Sequence, residues 1–454
     1  MPINIISFLI LLFWGIGFNY CQNANDDLLL KNVSFIDGTG TSLKRNYSIL
    51  IKNGIFDTIV STSDLNNLKT NTKIIDLDGK TIIPGIIGMH NHLHIPQFPN
   101  IGRIASKLYL ASGVTTIQTC GATNPEDEIS LARRIEKGEE IGPEIIPSGP
   151  FITGSGGNRN MIIPKNRKHL RDTMQYYINQ GIRWFKVYRN IEPEDLEYVI
   201  DIAHDKDCKI RGHLCSVTFE EASKLGINGI EHGFNSLSDF KSDKTYGACN
   251  GSRVYIDSLN IESQEVRSLL QTMIDKKVFM TSTLSIYEAS IPNRAFADPN
   301  TLPIMSPYLK ELYKSRKAKM DKMINNNTRE KRLKRIMRFE YLFYKMGGLL
   351  CSGVDAGRHV LPGFGDLRNY ELLIEAGFKT EEAIQIMTGN GAKALDRTDI
   401  GTIEIGKRAD FVILDGDLLN KSSTIRKIDV VYKKGIAYYP IKILKNLKGK
   451  YGIE

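Results

Sequence analysis

Between residues 84 and 395 the chain repeats one pattern: a short apolar run bounded by Gly or Pro, then a stretch whose apolar residues recur at three and four. The runs are TIIPGIIGMH, GVTTIQTC, PEIIPSG, IRWFKVY, KIRGHL, INGIEH, VFMTSTL and GGLLCSGVD. Runs this short and apolar read as strands buried on both faces, and the helical stretches between them, 193–204 and 218–225 among them, supply the crossovers that parallel strands need. Eight β/α units over 84–395 predict an α/β fold of the (β/α)8 TIM-barrel type, in which reactive side chains gather where strands end.

The two flanks read differently. Residues 27–83 and 396–445 alternate short strands with Gly punctuation (LLLKNVSFID, SILIKNGIFDTIV, IGKRADFVILDGD, IDVVYKKGIAYY). Neither flank is long enough to bury a core alone, so the two are expected to pair into one small β-sandwich. The surplus length before the eighth strand, about 303–345, is strongly basic. Between residues 306 and 338 there are twelve Lys/Arg against three acids, which equals the net +9 of the whole 454-residue chain. Apolar residues at helical spacing within it predict amphipathic helices with a solvated basic face. Peripheral association with an anionic membrane surface is the lesser reading of that charge. Nucleic acid is excluded as a partner because no stacking platform or recognition motif accompanies it.

Residues 5–18 (IISFLILLFWGIGF) are too short to span a bilayer comfortably and lie where a signal peptide's core would be. A signal over residues 1–23 and export to a periplasmic or extracellular space are therefore expected. Cys21 is a weak match to a lipoprotein acceptor. Six cysteines without a CxxC pair indicate neither a disulfide scaffold nor a zinc ribbon, and Cys215 reads as a small residue beside a strand end.

Polar residues recur at the strand ends. His90 and His92, at i and i+2, face one side of the first strand. Lys186 stands between apolar residues in the fourth, His213 closes the fifth, His232 the sixth, and Asp355 follows the eighth. Each alone has an ordinary explanation, such as a core histidine, a snorkelling lysine or a turn-capping aspartate. Together they concentrate four of the chain's eight histidines at one end of one fold.

From about residue 28 to 439 the sequence resembles the amidohydrolase superfamily, in its imidazolonepropionase-like and Xaa-dipeptidase-like branch. The carriers are PGIIGMHNH (84–92), GVTTIQTCG (113–121), GPEIIPSGPFITGSGG (142–157), IRWFKVY (182–188), IEHG (230–233), SGVDAG (352–357), TGNGAKAL (388–395) and IGKRADFVILD (405–415). The resemblance implies two divalent metal ions, Zn2+ by preference. His90 and His92 would ligate one and His213 and His232 the other, with Lys186 as a bridging carbamate and Asp355 as both ligand and catalytic proton shuttle. Three positions depart from the family pattern: Gly88 replaces an Asp, Val354 a Thr, and Asn158-Arg159 the usual His-Gly. With Arg159 in that place, the resemblance leaves Tyr188, Arg189 and Arg159 to bind substrate.

A water held by such metals ionises near pH ~7, so a metal-bridging hydroxide can attack an amide carbonyl while Asp355 carries the proton to the leaving nitrogen. The expected activity is hydrolysis of a C–N bond in a dipeptide or N-acyl amino acid, a small-molecule substrate. No oligomeric state is assigned. Two other readings stay open: a mononuclear deaminase or cyclic-amide hydrolase, and a catalytically silent binding protein on the same fold.

Overall fold

The computed structural model describes residues 27–67, 72–94, 101–157, 161–292, 294, 301–323, 327–357 and 360–453. The expected signal segment, Cys21 and Arg159 lie outside them.

Eight parallel strands follow one another along the chain: β1 (Ile86–Asn91), β2 (Val114–Thr119), β3 (Ser148–Ile152), β4 (Trp184–Val187), β5 (Lys209–Gly212), β6 (Gly229–Glu231), β7 (Phe279–Ser282) and β8 (Leu350–Ser352). β3 to β8 form one six-stranded parallel sheet in sequential order, and β1, β2 and the short strand Glu144–Ile146 form another. Pro147 separates Glu144–Ile146 from β3. Proline has no N–H to give a ladder, so the first half of this run bonds back to β2 and the second forward to β4.

Backbone bonds cross the remaining seams. Ala122 N donates to Gly149 O at 3.0 Å on one side. On the other, Val354 N and Asp355 N donate to His90 O at 3.1 and 2.9 Å. Helices such as Pro125–Glu136, Pro193–His204 and Gln264–Asp275 provide the crossovers, each burying the apolar stripe that its spacing predicts.

The chain's two ends do join. Leu28–Phe35, Lys44–Lys52, Ile55–Ser61, Lys73–Asp76 and Thr81–Pro84 share one eight-stranded sheet with Phe411–Leu414, Ile428–Lys433 and Ile436–Tyr438. The junction is antiparallel pairing of Thr81–Pro84 with Phe411–Leu414. This sheet has its own apolar core, including Phe35, Phe56, Phe411 and Tyr432, with the last two rings stacked at 4.4 Å. The tail packs elsewhere: Tyr451 is buried and exchanges backbone bonds with Ile304 and Ser306.

Two expectations need correction. The basic segment forms helices Pro307–Asp321 and Thr328–Lys345, but its charge is not simply solvated. Arg332 pairs with Asp257, Arg335 donates to Ile256 O and Leu259 O, and Arg338 pairs with Glu262. Spaced at three, these arginines form a stripe that clamps one loop. The second correction concerns the cysteines: Cys215 and Cys249 are joined in a disulfide across 34 positions, while Cys120, Cys208 and Cys351 are free and buried. Spacing could not reveal a partner that only the fold brings near.

Glu144 ties the parallel domain to the terminal sheet. It accepts from Arg397 at 2.6 Å and Arg408 at 2.5 Å, and Arg408 also holds Asp410. Burial would raise the Glu144 carboxyl, but Arg408 and Arg397 hold it below its usual value. A carboxyl lowered by folding contributes stability above its unfolded pKa of ~4.5 and loses it as pH falls through the lower folded value. Glu144→Gln is expected to lower stability at pH 7 by about 1–2 kcal/mol, the net worth of charge-assisted bonds. In urea melts the gap to wild type should close below pH ~4.5; a gap constant down to pH 3 would show that ionisation of Glu144 is irrelevant.

Candidate metal centre

β1 ends in His90-Asn91 and His92 directly follows, and the period of two turns both imidazoles to one side. Lys186 lies within β4, His213 directly follows β5, His232 directly follows β6, and Asp355 comes three residues after β8. The fold brings these six residues into one space. Ring centroids are 5.2 Å apart for His90 and His92, 4.6 Å for His90 and His232, and 4.7 Å for His213 and His232. Asp355 Oδ1 is 3.1 Å from His92 Nε2 and 3.5 Å from His90 Nε2, and its Oδ2 is 3.9 Å from His232 Nε2. Lys186 Nζ lies 3.2 Å from His90 Nε2. Tyr188 packs its ring 5.0 Å from that of His213, and Arg189 follows it at the exposed rim.

Backbone strain collects here. His232 and Asp355 have φ of +65° and +47°, in the left-handed region that few side-chain-bearing residues adopt. Both are pinned. His232 N donates to Thr281 O at 3.2 Å and its Nδ1 sits 2.9 Å from Thr283 Oγ1, while Asp355 N is bonded to His90 O. A Cβ on Gly353 would collide with the backbone of His90, so only glycine lets the end of β8 approach β1 closely enough to deliver Asp355. Gly88, one of the departures noted above, leaves the space that the Asn91 amide fills.

Beneath the imidazoles lies a layer that sequence reasoning missed. Glu231 accepts from Arg211 through one carboxylate oxygen and contacts His90 Nδ1 through the other. Arg211 also donates to Met89 O, Gln118 Oε1 and Thr281 Oγ1. Arg211, Glu231 and His90 are fully buried. The available signal was a charged residue inside strands of three or four residues that are otherwise buried on both faces.

The electrostatics suit a cation. Burial pushes His92 down to about 4 and His213 to about 3, with Lys186 adding to the latter, and His232 also falls well below the usual imidazole value. These rings are neutral and offer lone pairs. Burial would raise Asp355, but His90, His92 and His232 hold its carboxyl well below the usual range. His90 goes the other way: against the effect of burial, Cys120, Glu231 and Asp355 raise it to about 10. Carboxylates near both ring nitrogens favour a positive charge at His90, which a ring proton or a metal at Nε2 supplies. Donor atoms of His90, His92 and Asp355 all lie within 4.8 Å of one another, and imidazole plus carboxylate donors suit a divalent transition metal.

The amidohydrolase family matches this chain over residues 354–437. A dihydroorotase of Caldanaerobacter subterraneus is 29% identical over 213 residues, 45% of this chain, and the chain spans only 47% of that enzyme's length. Among solved structures, a putative prolidase from Bifidobacterium longum superimposes with a TM-score of 0.68 at 19% identity, covering 93% of this chain and 99% of its own. A Xaa-Pro dipeptidase with bound methionine in its active site gives 0.67 at 20% identity, covering 91% and 100%. At these identities the structural likeness establishes the fold.

A carboxylate can only accept at this contact, so Glu231 would hold a proton of His90 on Nδ1 and direct Nε2 toward a metal, a role whose loss typically costs 10- to 100-fold in metal affinity. Glu231→Gln is expected to lower the affinity for Zn2+ by about that factor in chelator competition. Unchanged affinity would reduce Glu231 to a partner for Arg211.

Proposed function

The chain carries an amidohydrolase-family domain, and from that premise we propose that it is a metal-dependent hydrolase of amide C–N bonds, with a dipeptide or N-acyl amino acid as substrate. The two parallel sheets are read as one (β/α)8 ring, with the terminal sheet as its β-sandwich. The observation that carries the reading is Asp355: one carboxylate lies within 4 Å of His90, His92 and His232, a meeting of the end of β1 with the turns after β6 and β8. The dipeptidase and prolidase among the structural neighbours favour a peptide-like amide.

Two divalent ions, zinc by donor chemistry, would find holders here: His90 and His92 would hold one and His213 and His232 the other, with Asp355 and a carbamate on Lys186 as the anionic donors. When bound, such ions polarise a carbonyl and supply a nucleophile from water at neutral pH. The chain's own residues do the rest. Asp355, kept ionised, accepts the proton of the attacking water and releases it to the leaving nitrogen. Tyr188, beside His213, and Arg189 at the exposed rim would receive the substrate's carboxylate. Lys186 is buried beside the Phe151 and Tyr188 rings, and its bonding partner is His90, with no carboxylate paired to it among the described residues. A carbamate forms from its uncharged amine and CO2 with loss of one proton, placing an anion where a metal pair requires one.

The mononuclear reading is favoured by one observation, that the close donor group of His90, His92 and Asp355 takes in neither His213 nor His232 among the described residues. Metal content decides between the two. Export is supported by the Cys215–Cys249 disulfide, since such bonds persist in oxidising compartments.

Asp355→Asn should lower turnover by about 10²- to 10⁴-fold while the fold persists, the usual worth of a positioned acid/base. An undiminished rate on any cleaved dipeptide would place the proton shuttle elsewhere. Lys186→Ala should bind fewer than two equivalents of metal and lose activity, with acetate or propionate restoring part of both by filling the bridge. Two metals and full activity in that variant would reject the carbamate, and one metal in fully active wild type would select the mononuclear enzyme.

A further inference from the structure

The turns that follow β5 and β6 carry His213 and His232, and both turns also hold cations. Lys241 Nζ rests 3.0 Å from Cys215 Sγ, Lys244 Nζ donates to Ser216 O at 2.6 Å, and Arg189 Nη2 reaches Cys249 Sγ at 3.6 Å. Ser216 N in turn donates to Arg189 O at 2.9 Å. Arg253 Nη2 donates to Asn235 O at 2.6 Å, and Asn235 bonds the hydroxyl of Tyr287, whose ring lies 6.1 Å from that of His232. The Cys215–Cys249 disulfide staples the loop bearing Lys241 and Lys244 onto the turn just past His213.

These four cations are neighbours, and among the described residues none is paired with a carboxylate. Their partners among the described residues are backbone carbonyls and the sulfurs of the disulfide, and none is a carboxylate. Burial, then Arg253, Arg189 and Lys244, push Lys241 down to about 8, the response of an amine crowded by like charge. Five cations of the basic helices differ: Lys314, Lys317, Arg332, Lys334 and Arg338 have acids paired to them. Like charges gathered at a cleft without compensation repel one another and reduce stability, and an anionic ligand relieves that repulsion.

We propose that this stapled rim selects a second carboxylate on the substrate. The inference rests on the amide-hydrolase reading above and narrows its substrate class: dipeptides ending in Asp or Glu, or N-acyl derivatives of those two residues. Arg189 accounts for the first carboxylate. Lys241, Lys244 and Arg253 remain for the second, at the C-terminal strand ends where an amide lying over the histidines would extend.

The test compares Ala-Glu with the near-isosteric Ala-Gln on the metal-replete, disulfide-intact protein, alongside calorimetric binding of glutarate, which has no scissile bond. Ala-Glu should exceed Ala-Gln in kcat/KM by about 10-fold or more, mainly through KM, because rim charges act on encounter and binding. The Lys241→Met/Arg253→Gln double variant should shrink that ratio at least several-fold and weaken glutarate, whereas Lys241→Arg should preserve both. Equal cleavage of Ala-Gln and Ala-Glu would overturn the rim and leave the amide hydrolase standing. Glutarate binding that depends on Lys241 and Arg253, with no amide cleaved, would retain the rim and remove the parent reading. No glutarate binding would overturn the rim outright.

Discussion

The arrangement of this domain depends on one buried ion pair. Arg211 and Glu231 face each other at zero exposure among the parallel strands, where an unpaired charge would cost several kcal/mol. The cost is offset because the guanidinium is nearly saturated. It reaches Glu231 on β6, Met89 O on β1, Gln118 on β2 and Thr281 on β7 from its own place on β5. Five strands therefore meet on one side chain, and a shift of any of them would strand a buried donor or acceptor. Glu231 passes this constraint on to His90, and through it to the whole candidate centre.

That constraint explains how strained backbone can persist nearby. His232 is held in the left-handed region one residue after Glu231, and Asp355 is held there by the bond to His90 O, on the histidine that Glu231 orients. Left-handed conformations at such residues cost on the order of 1–3 kcal/mol each, so they survive only where the surroundings fix them. The buried layer gives the rigidity and the strained turns above it aim the side chains.

Much of this could be read from the chain. Short apolar strands set off by Gly and Pro located the parallel sheets, because a strand buried on both faces leaves a continuous apolar run, and the polar residues ending those runs converge as expected for strands that share a direction. What escaped was of two kinds. Arg211 and Glu231 were passed over because a charge in a strand acquires meaning only from a partner on another strand. The Cys215–Cys249 bond escaped because its loop closes through the turn after β5, a proximity that spacing does not encode.

Charge shows the same limit in another form. The count of basic residues points to 306–338, which holds the chain's entire net charge. In the folded protein much of that charge is spent internally, on the acids and carbonyls of the 256–262 loop and on neighbouring turns of the same helices. A charge already paired contributes little field at a distance, whereas Arg189, Lys241, Lys244 and Arg253 are scattered across 65 positions of sequence and meet at one rim with no carboxylate bonded to them among the described residues. The field that a ligand meets is set by which cations the fold leaves unpaired near the candidate centre, so the run most conspicuous in the sequence has the smaller claim on function.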